Sequence, residues 1–423
     1  MHRDSDTDKK HSHSNFNTFE SMKITKAKVI VCRPGRNFVT LKVLTDEGIF
    51  GLGDATLNGR EKAVVAYLEE HCIPALIGKD PQNIEDLWQY FYRGAYWKRG
   101  PVTMTAIGAI DMALWDIKGK ALDTPLYNLL GGKSREQVLV YAHANGQNIR
   151  AAVEAAQARM EEGFKAVRVQ SGFPGMSHPY GVPGEDEDYE PAQRGLPVTE
   201  YWDTSKYLKS VPRLFDKLRA ELGDDVHLLH DVHHRCTPSE AALLAKRLEP
   251  YDLFWIEDPV SGELQEGLRM IRAQSATPVA IGEVFNSIYD YTTLFTEQLI
   301  NYFRMPLVHG GGITHLQKVA AFASVYHIRT GFHGATDLSP VNLAASIHFD
   351  LAVNNFGIQE YMPHQEVVHE VFTVPYRYQE GVLLLDEVPG IGVDIDEEKA
   401  KQYPYQMASL PVNRKSDGTM FYW

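Results

Sequence analysis

Three acidic residues stand out in the sequence because each ends a short apolar run and because their spacing repeats. Asp231 ends the run VHLLHD, Glu257 ends LFWIE and Glu283 ends TPVAIGE. Glu257 lies midway in sequence between Asp231 and Glu283. Runs of β-branched and aromatic residues of this length predict buried strands. Carboxylate oxygens suit Mg²⁺, whereas zinc prefers nitrogen and sulfur ligands. We therefore predict that these three side chains bind one Mg²⁺ ion per subunit.

The segments between these runs predict the elements that bring the acids together. PSEAALLAKRLEP, which separates the first two runs, carries apolar residues at helical spacing. Alternating strands and helices form parallel sheets, and in a closed barrel the carboxyl ends of the strands face one mouth, where active sites lie. A single acid at a strand end can instead be a helix N-cap. Three acids at equal spacing favour the metal site.

Composition limits the classes of partner. The chain has 423 residues, of which 44% are hydrophobic and 23% charged, and a formal net charge of −13. This charge argues against nucleic acid or an anionic membrane as a partner, and no apolar run approaches the length of a membrane span. Three cysteines imply no disulfide framework. We expect a cytoplasmic protein.

The pattern of the chain predicts four parts. Residues 1–21 are polar and predict a disordered extension. Residues 22–135 show three strand-like segments followed by helical stretches, which indicates a small α+β domain. From 136 to 370 eight strands alternate with helices, as in a TIM-type α/β barrel, with a long loop at 172–202. Residues 371–423 contain short apolar runs and end in three aromatic residues, and are predicted to pack on the rest.

Further polar side chains stand at the ends of the predicted barrel strands. They are His143, Arg168, Arg304, His333 and Glu360, and His233 follows two residues after the first acid. Each has a structural explanation by itself, because a strand-end arginine can pair with a neighbouring acid and a histidine can be a satisfied core residue. A shared mouth with three metal ligands favours roles in substrate binding or catalysis.

Several motifs resemble those of the enolase superfamily. GDATLNG, WDIKGKALDTPLYNLLGG and the three acids carry this resemblance, and PGRNFVTLK, YRGAYWKRGPVTM, HDVHHR, GFHGATDLSPV and IQEYM are similar to the D-mannonate dehydratases within it. The similarity extends from residue 22 to residue 423. It implies a TIM-type (β/α)7β barrel with an N-terminal α+β capping domain. It also implies a homo-oligomer, with an octamer as one candidate.

The resemblance implies catalytic roles as well. Many superfamily barrels use a His–Asp pair from strands six and seven as the base, but here His333 is accompanied by Arg304, which cannot orient an imidazole as a carboxylate would. The implied base is Tyr180, in the long loop, with Arg168 beside it to lower the pKa of the phenol. His233 matches the general acid that protonates the leaving hydroxyl.

The remaining implied residues bind substrate. Arg304 and His333 hold the substrate carboxylate, Glu360 lies near the metal or a hydroxyl, and the pocket is lined by Asn58, His143, Asp337 and Trp423. The implied reaction is Mg²⁺-dependent dehydration of D-mannonate to 2-keto-3-deoxy-D-gluconate.

Two alternatives remain open. One is a dehydratase of another aldonate such as D-gluconate, with low activity. Ala335 agrees with the efficient D-mannonate dehydratases, whereas proline at this position resembles slower or dual-specificity relatives. The other alternative is a catalytically silent, metabolite-binding regulatory protein, as the name "starvation-sensing" given to some relatives suggests. The presence of a base, an acid and three metal ligands argues against it, because a sensor needs no proton-transfer groups.

Overall fold

The computed structural model describes residues 22–173, 176 and 193–422. The chain begins with an antiparallel sheet in which the middle strand pairs with both neighbours. Its strands are β1 (Ile24–Cys32), β2 (Phe38–Thr45) and β3 (Phe50–Asp54). The three strands correspond to the strand-like segments that the sequence predicts.

Helices cover one face of this sheet. They are α1 (Glu61–Tyr67), a π-helical turn (Leu68–Cys72), α2 (Ile73–Leu76), α3 (Ile84–Gly94), α4 (Pro101–Ala121) and α5 (Leu126–Leu129). The long helix α4 is buried over most of its length and packs closely on β3. A Cβ atom at Gly53 would lie 1.9 Å from the carbonyl oxygen of Ala109, so only glycine permits this approach.

The second part of the chain contains a ring of parallel strands. In chain order, the strands from residue 138 to residue 360 are β4 (Val138–Gly146), β5 (Ala166–Ser171), β6 (Gln193–Arg194), β7 (Thr199–Tyr201), β8 (His227–Asp231), β9 (Trp255–Glu257), β10 (Val279–Ile281), β11 (Tyr302–Phe303), β12 (Arg329–Thr330) and β13 (Gln359–Glu360). The order around the ring is β13-β4-β5-β8-β9-β10-β11-β12. A parallel bridge between Thr330 and Phe356 closes it.

Helices connect successive strands of the ring. They are α6 (Ile149–Glu161), α7 (Thr204–Leu222), α8 (Pro238–Leu248), α9 (Leu268–Gln274), α10 (Thr292–Thr296), α11 (Ile313–Val325) and α12 (Pro340–Ala352), with 3-10 turns at Glu249–Tyr251, Gln265–Gly267 and Ile288–Tyr291. Local sequence explains the starts of several. Thr237 and Glu240 form a capping box at the start of α8, and Asn148 caps α6 through Ala151.

The C-terminal part packs on both ends of the ring. Its elements are a 3-10 turn (Glu366–Glu370), β14 (Phe372–Thr373), β15 (Tyr376–Gln379), β16 (Val382–Leu385), β17 (Asp394–Ile395), α13 (Glu397–Ala400), β18 (Ala408–Ser409), β19 (Val412–Arg414) and β20 (Met420–Phe421). Strand β16 pairs with the start of β4, and β19 pairs with both β7 and β20. The ring of Phe421 lies parallel to that of Trp202 at 6.4 Å.

Buried aspartates of the N-terminal part fix it on the ring. Each accepts a hydrogen bond from a distant backbone N–H: Asp54 from Ser339 (2.8 Å), Asp111 from Thr314 (3.0 Å) and Asp116 from Ile391 (2.8 Å). Two of these donors stand at the starts of α12 and α11, whose own N-cap residues provide no side-chain hydrogen bond. The N-terminal domain therefore supplies caps to helices of the barrel.

The fold confirms the predicted (β/α)7β barrel with an N-terminal α+β capping domain. Among the described residues, eight parallel strands are joined by seven helices, and the last strand is followed by the β15–β16 hairpin instead of a helix. The boundaries at residues 21/22, 135/136 and 370/371 remain predictions. None of the helices in the described ranges is long and apolar enough to span a membrane.

Candidate active site

The two-residue period of the barrel strands places a polar layer directly above an apolar floor. One cluster of buried residues inside the ring contains Tyr141, Ala166, Leu229, Trp255, Ala280, Tyr302 and Ile358. Two positions further along the same strands stand His143, Arg168, Asp231, Glu257, Arg304 and Glu360. Because side chains in a strand alternate between its faces, both sets face the barrel interior. The sequence pattern "apolar, any, polar" at each strand end thus forms the site.

Strand β10 departs from this rule. The strand ends at Ile281, and the position two residues after Ala280 is Gly282 instead of an acid. Gly282 has φ +122°, and a Cβ atom there would lie 2.0 Å from the Tyr291 hydroxyl. The glycine turns the chain so that Glu283, one residue later, supplies the third carboxylate. The three acids are evenly spaced in sequence, but β10 ends differently from β8 and β9.

The three predicted metal ligands meet. Asp231 and Glu257 are register partners in the neighbouring strands β8 and β9, and one oxygen from each of them and from Glu283 lie within 4.8 Å of one another. A second group with the same property consists of His234, Asp258 and the shared Glu283. The structure thus brings together a possible acidic metal site where the sequence predicts it.

Arg304 is the cation beneath these acids. Its Nε lies 2.5 Å from Oε1 of Glu257, its Nη2 donates to Oε2 of Glu360 at 2.8 Å, and its Nη1 donates to the carbonyl of Gly331 at 2.9 Å. All three side chains of this group are fully buried. Neighbouring carboxylates raise the pKa of Arg304 well above its usual range although burial opposes this. The arginine is a permanent positive charge in the centre of the barrel.

A chain of hydrogen bonds fixes the tautomer of His143. Arg168 donates from Nη1 to Oδ2 of Asp231 at 2.8 Å and from Nη2 to Nδ1 of His143 at 3.1 Å. A guanidinium can only donate, so Nδ1 carries no proton and Nε2–H donates to Oε1 of Glu360 at 2.6 Å. Burial, together with Arg168, lowers the pKa of His143 to about 4. This imidazole is neutral and rigidly oriented.

His233 has a comparable arrangement. Gln170 Nε2 lies 3.4 Å from the carbonyl oxygen of Asp231 and 3.3 Å from Nδ1 of His233. The carbonyl can only accept, which makes this atom of Gln170 the amide nitrogen and Nδ1 an acceptor. The proton of the neutral imidazole therefore stays on Nε2, 2.8 Å from Oδ2 of Asp231. Burial lowers the pKa of His233, against the opposing effect of Asp231.

His333 has acids on both ring nitrogens. Its Nε2 lies 3.2 Å from Oδ1 of Asp337, and its Nδ1 lies 3.1 Å from Oε2 of Glu360 and 3.4 Å from Oε2 of Glu283. Burial lowers the pKa of His333, but these carboxylates outweigh burial and raise it well above its usual range. His333 is thus an imidazolium, and the same pairing lowers the pKa of Asp337 to about 2.

The turns after the metal-bearing strands are conformationally unusual. His233, His234 and Asp258 have φ values of +50°, +61° and +38°. Residues other than glycine adopt such values at an energetic cost, and positions of this kind cluster at functional sites. Here they turn the chain shortly after Asp231 and directly after Glu257, so that these two strands end at their acids.

These side chains surround one cavity of about 380 Å³ between the barrel mouth and the capping domain. The predicted site residues that line it are Asn58, His143, Arg168, His233, Glu283, His333, Asp337 and Glu360. Asp231, Glu257 and Arg304 lie behind this wall. Tyr180 and Trp423 lie outside the described residues, so their predicted roles remain predictions.

Two family models match the chain. Residues 27–131 match the mandelate racemase/muconate lactonizing enzyme N-terminal domain, and residues 151–399 match the enolase C-terminal domain-like family. The second match alone covers more than half of the chain. The chain belongs to the enolase superfamily.

Relatives within the enolase superfamily narrow the class. The D-galactonate dehydratase family member RspA of Halomonas elongata is 62% identical over 405 residues, which are 95% of this chain and 100% of that protein. A protein of a Sphingomonas species named D-mannonate dehydratase is 59% identical over 401 residues, again 95% of this chain and 100% of that protein. The predicted superfamily and the class of hydro-lyase are confirmed by these relatives.

A solved structure of the superfamily has the same architecture. An enolase-superfamily protein from Pantoea ananatis, described with bound D-gluconate and Mg, is 40% identical, with a TM-score of 0.88 over 95% of this chain and 100% of that chain. The named substrates of the relatives differ, so the family does not by itself decide the sugar for this chain.

Four residues of the site were not predicted from the sequence. Asp258 and His234 directly follow predicted residues in IED and HH, and this doubling of ionisable residues at a strand end was the available signal. Arg36 and His309 line the cavity from the β1–β2 turn and from the β11–α11 loop. They belong to the loop motifs PGRN and VHGGG. The sequence of such a loop does not indicate towards which side of the chain a polar side chain points.

The donor set of the acidic cluster fits a cation. Glu257 is fully buried, and its Oε1 lies beside Arg304 but accepts no well-aligned hydrogen bond from the described residues. Burial raises the pKa of Glu257 well above its usual range, against the effect of Arg304, and the neighbouring acids raise it further. A divalent ion bound by the three carboxylates would remove both the unsatisfied acceptor and the repulsion.

Proposed function

We propose that this protein is a Mg²⁺-dependent acid-sugar dehydratase that converts D-mannonate to 2-keto-3-deoxy-D-gluconate. The observation that carries this proposal is the convergence of Asp231, Glu257 and Glu283 within 4.8 Å at a cavity that also contains the imidazole of His233. A proton leaves C2, the C3 hydroxyl leaves as water, and the resulting enol becomes the 2-keto group. The reaction therefore requires one base, one acid, and a group that stabilises the negative charge on the carboxylate oxygens of the substrate after the C2 proton leaves.

One Mg²⁺ ion per subunit would be held by the three carboxylates. When bound, it would neutralise the negative charge that collects on the substrate carboxylate as the C2 proton leaves. The donors are hard oxygens and favour Mg²⁺ over zinc.

The proposed base is Tyr180. Its phenolate would take the C2 proton, and the positive charge of Arg168 would make the phenolate accessible near neutral pH. Arg168 is fixed for this purpose by Asp231 and His143, which accept hydrogen bonds from its two terminal nitrogens. A Tyr180→Phe variant should lose exchange of the C2 hydrogen with solvent deuterium.

The proposed acid is His233. To act as an acid the ring must first be in its imidazolium form, because a neutral imidazole that gave up its only proton would become an imidazolate. Burial opposes this charged form, and the pairing of Nε2 with Asp231 favours it. In the described arrangement Nε2 lies against Asp231, so ligation of that carboxylate by a metal would weaken its hold on the proton. The departing C3 hydroxyl would then compete for it and leave as water.

Other side chains would orient the sugar acid. His333 is a cation at the cavity wall and would contact the substrate carboxylate, and Arg304 would compensate the charge from behind Glu257 and Glu360. Hydroxyl groups would be bound by Asn58, His143, Asp337 and Glu360, with Trp423 closing the site. The side chain of Arg304 is fully buried and does not line the cavity. A direct contact between Arg304 and the substrate carboxylate is therefore a proposal only.

Incubation of the protein with Mg²⁺ and D-mannonate tests the function directly. We expect a 2-keto-3-deoxy product in NMR spectra and in a colorimetric assay for keto-deoxy acids. A Glu154→Gln variant, which removes an exposed acid of α6, should keep this activity, whereas Glu283→Gln should lose it. Absence of product with D-mannonate, at Mg²⁺ concentrations that saturate the protein, would refute the proposed substrate.

A second candidate substrate is D-gluconate, because the structurally similar Pantoea ananatis protein is described with this ligand. The two sugars differ in configuration at C2, which decides which face presents the proton to the base. Parallel turnover measurements with D-mannonate, D-gluconate and D-galactonate discriminate between them. An Ala335→Pro variant should lower the preference for D-mannonate, because Ala335 lines the cavity beside Gly334, whose N–H donates to Glu360 at 2.9 Å.

We also propose a cytoplasmic homo-oligomer. The family resemblance supports the oligomer, and the low cysteine content supports a reducing compartment. Light scattering coupled to size-exclusion chromatography measures the assembly directly. An octamer is the first candidate to test.

A further inference from the structure

His309 lies in the active-site cavity but has no part in the proposed proton transfers. It stands in the loop between β11 and α11, and it lines the same cavity as Glu283, His333 and Asp337. The side chain is partly buried. Its Nε2 atom makes no hydrogen bond to any residue within 22–173, 176 or 193–422, while Nδ1 has a specific partner.

That partner belongs to the capping domain. Nδ1 of His309 lies 2.9 Å from Oγ1 of Thr105, a fully buried residue of α4. The capping domain holds this loop and the start of α11 at two further points: Trp88 donates from Nε1 to the carbonyl of Gly311 at 2.7 Å, and Asp111 accepts from the N–H of Thr314. The ring of His309 is therefore fixed in position before any ligand binds.

The charge state of His309 follows from its surroundings. Burial lowers its pKa to about 4, with Asp337 opposing and His333 contributing to the shift. At neutral pH the ring is uncharged and has one donor and one acceptor. If Thr105 donates its hydroxyl proton to Nδ1, Nε2 carries the proton and remains a donor.

Asp337 supplies the complementary group. It is a carboxylate, which accepts only, and its Oδ1 is occupied by His333 at 3.2 Å. A hydroxyl of a polyol chain needs one acceptor for its proton and one donor for its oxygen. A carboxylate and a neutral N–H in one cavity wall meet both needs.

We propose that His309 is a specificity-determining residue that donates from Nε2 to one hydroxyl of the sugar chain, while that hydroxyl donates to Asp337 and Thr105 fixes the His309 ring. This inference rests on the proposed function, because it takes an acid sugar as the ligand. In this proposal the capping domain influences which sugar is bound, through the hydrogen bond between Thr105 of α4 and His309.

The test compares D-mannonate with its 4-deoxy, 5-deoxy and 6-deoxy analogues. Dissociation constants are measured by calorimetry in the presence of Mg²⁺, and kcat and KM are measured where turnover occurs. His309→Leu should weaken binding of D-mannonate about 10- to 100-fold, the range expected when a buried polar partner is lost. For the one analogue that lacks the contacted hydroxyl, the same substitution should change binding less than about 3-fold.

Two further variants separate this role from a structural one. Thr105→Val should reproduce the selective loss in weaker form, and His309→Gln, which keeps an amide donor, should partly restore the discrimination. The matched control is Thr314→Val, which removes a hydroxyl that accepts from Trp115 at 2.9 Å at the same domain contact but outside the cavity. It should not alter the ranking of the four ligands.

The outcomes distinguish the inference from the function on which it rests. If the wild-type protein binds none of the acid sugars, the proposed function fails. If it binds them but His309→Leu weakens all four ligands equally, or if Thr314→Val gives the same pattern, the role of His309 is refuted while the function stands.

Discussion

Nε of Arg304 lies 2.5 Å from Oε1 of Glu257, and both side chains are fully buried. The same guanidinium lies 2.8 Å from Oε2 of Glu360 and 3.8 Å from Oε2 of Glu283. One fixed cation thus serves two of the proposed metal ligands and a substrate-binding acid. The position after strand β11 thus carries a buried cation that balances the charge of these acids.

Removal of this cation should be costly. In Arg304→Gln the carboxylates around it would remain buried and uncompensated, and we expect the free energy of unfolding to fall by about 3–5 kcal/mol. Added Mg²⁺ should recover more stability in this variant than in the wild type, because a second cation can replace part of the lost charge. Urea unfolding with EDTA and with Mg²⁺ measures both effects.

An exposed arginine provides the control for this variant. Arg269 makes two short contacts with Glu297, at 2.6 and 2.7 Å, on the surface. Arg269→Gln should cost only about 0–1 kcal/mol, since solvent screens such pairs. Equal losses in the two variants would contradict the charge-balancing role of Arg304.

Metal removal should affect both stability and activity. A ligand that binds only the folded state raises its stability in proportion to the logarithm of its concentration. We expect Mg²⁺ to raise the Tm of the wild-type protein and to have little effect on Glu257→Gln, which loses one ligand oxygen at a fully buried position. EDTA should abolish turnover of the wild type and Mg²⁺ should restore it. A Tm shift of equal size in the variant would place the metal elsewhere.

The two proposed proton transfers can be separated. Asparagine tolerates the positive φ of +50° at position 233, so His233→Asn removes the acid without adding backbone strain. Dehydration should fall about 10²- to 10⁴-fold, the usual contribution of an acid catalyst, whereas deuterium should still exchange at C2. NMR in D₂O detects both. Loss of exchange together with dehydration would mean that His233 does not act as the acid alone.

The contact between the domains should depend on pH. Burial raises the pKa of Asp111 from its ordinary value of 3.8 to about 7, against the hydrogen bonds from Thr314. The folded state therefore binds this proton more tightly than the unfolded state. The resulting stability is complete below about pH 4 and is lost as the pH rises towards 7.

Asp111→Asn tests this dependence because asparagine does not ionise and can still accept from Thr314. The unfolding free energy of the wild type relative to the variant should fall with rising pH between about 4 and 7, by at most about 1.4 kcal/mol per pH unit. Ser324→Ala, an exposed substitution that neither adds nor removes an ionisable group, should show no such trend. A difference for Asp111→Asn that stays constant across this range would contradict the prediction.

The positions of the main polar residues could be predicted from local sequence, for a simple physical reason. A strand repeats every two residues, so an acid two positions after a core residue must face the barrel interior with it. Leu229 and Asp231, or Trp255 and Glu257, illustrate this, and the resemblance to the enolase superfamily supplied the class of chemistry. Glu283 lies beside the other two acids although its strand ends earlier, because the backbone at Gly282 turns the next residue towards them.

The sequence by itself determined the fold class, the order of strands and helices, and the three acids that converge at the barrel mouth. Only the tertiary structure decided that Arg304 lies behind the cavity wall and that His309 faces into it. These features depend on contacts between segments far apart in the chain, such as Thr105 with His309, and on which face of a loop is covered by another domain. Loops have no repeating geometry, so their side-chain directions follow from packing, which a linear pattern does not contain.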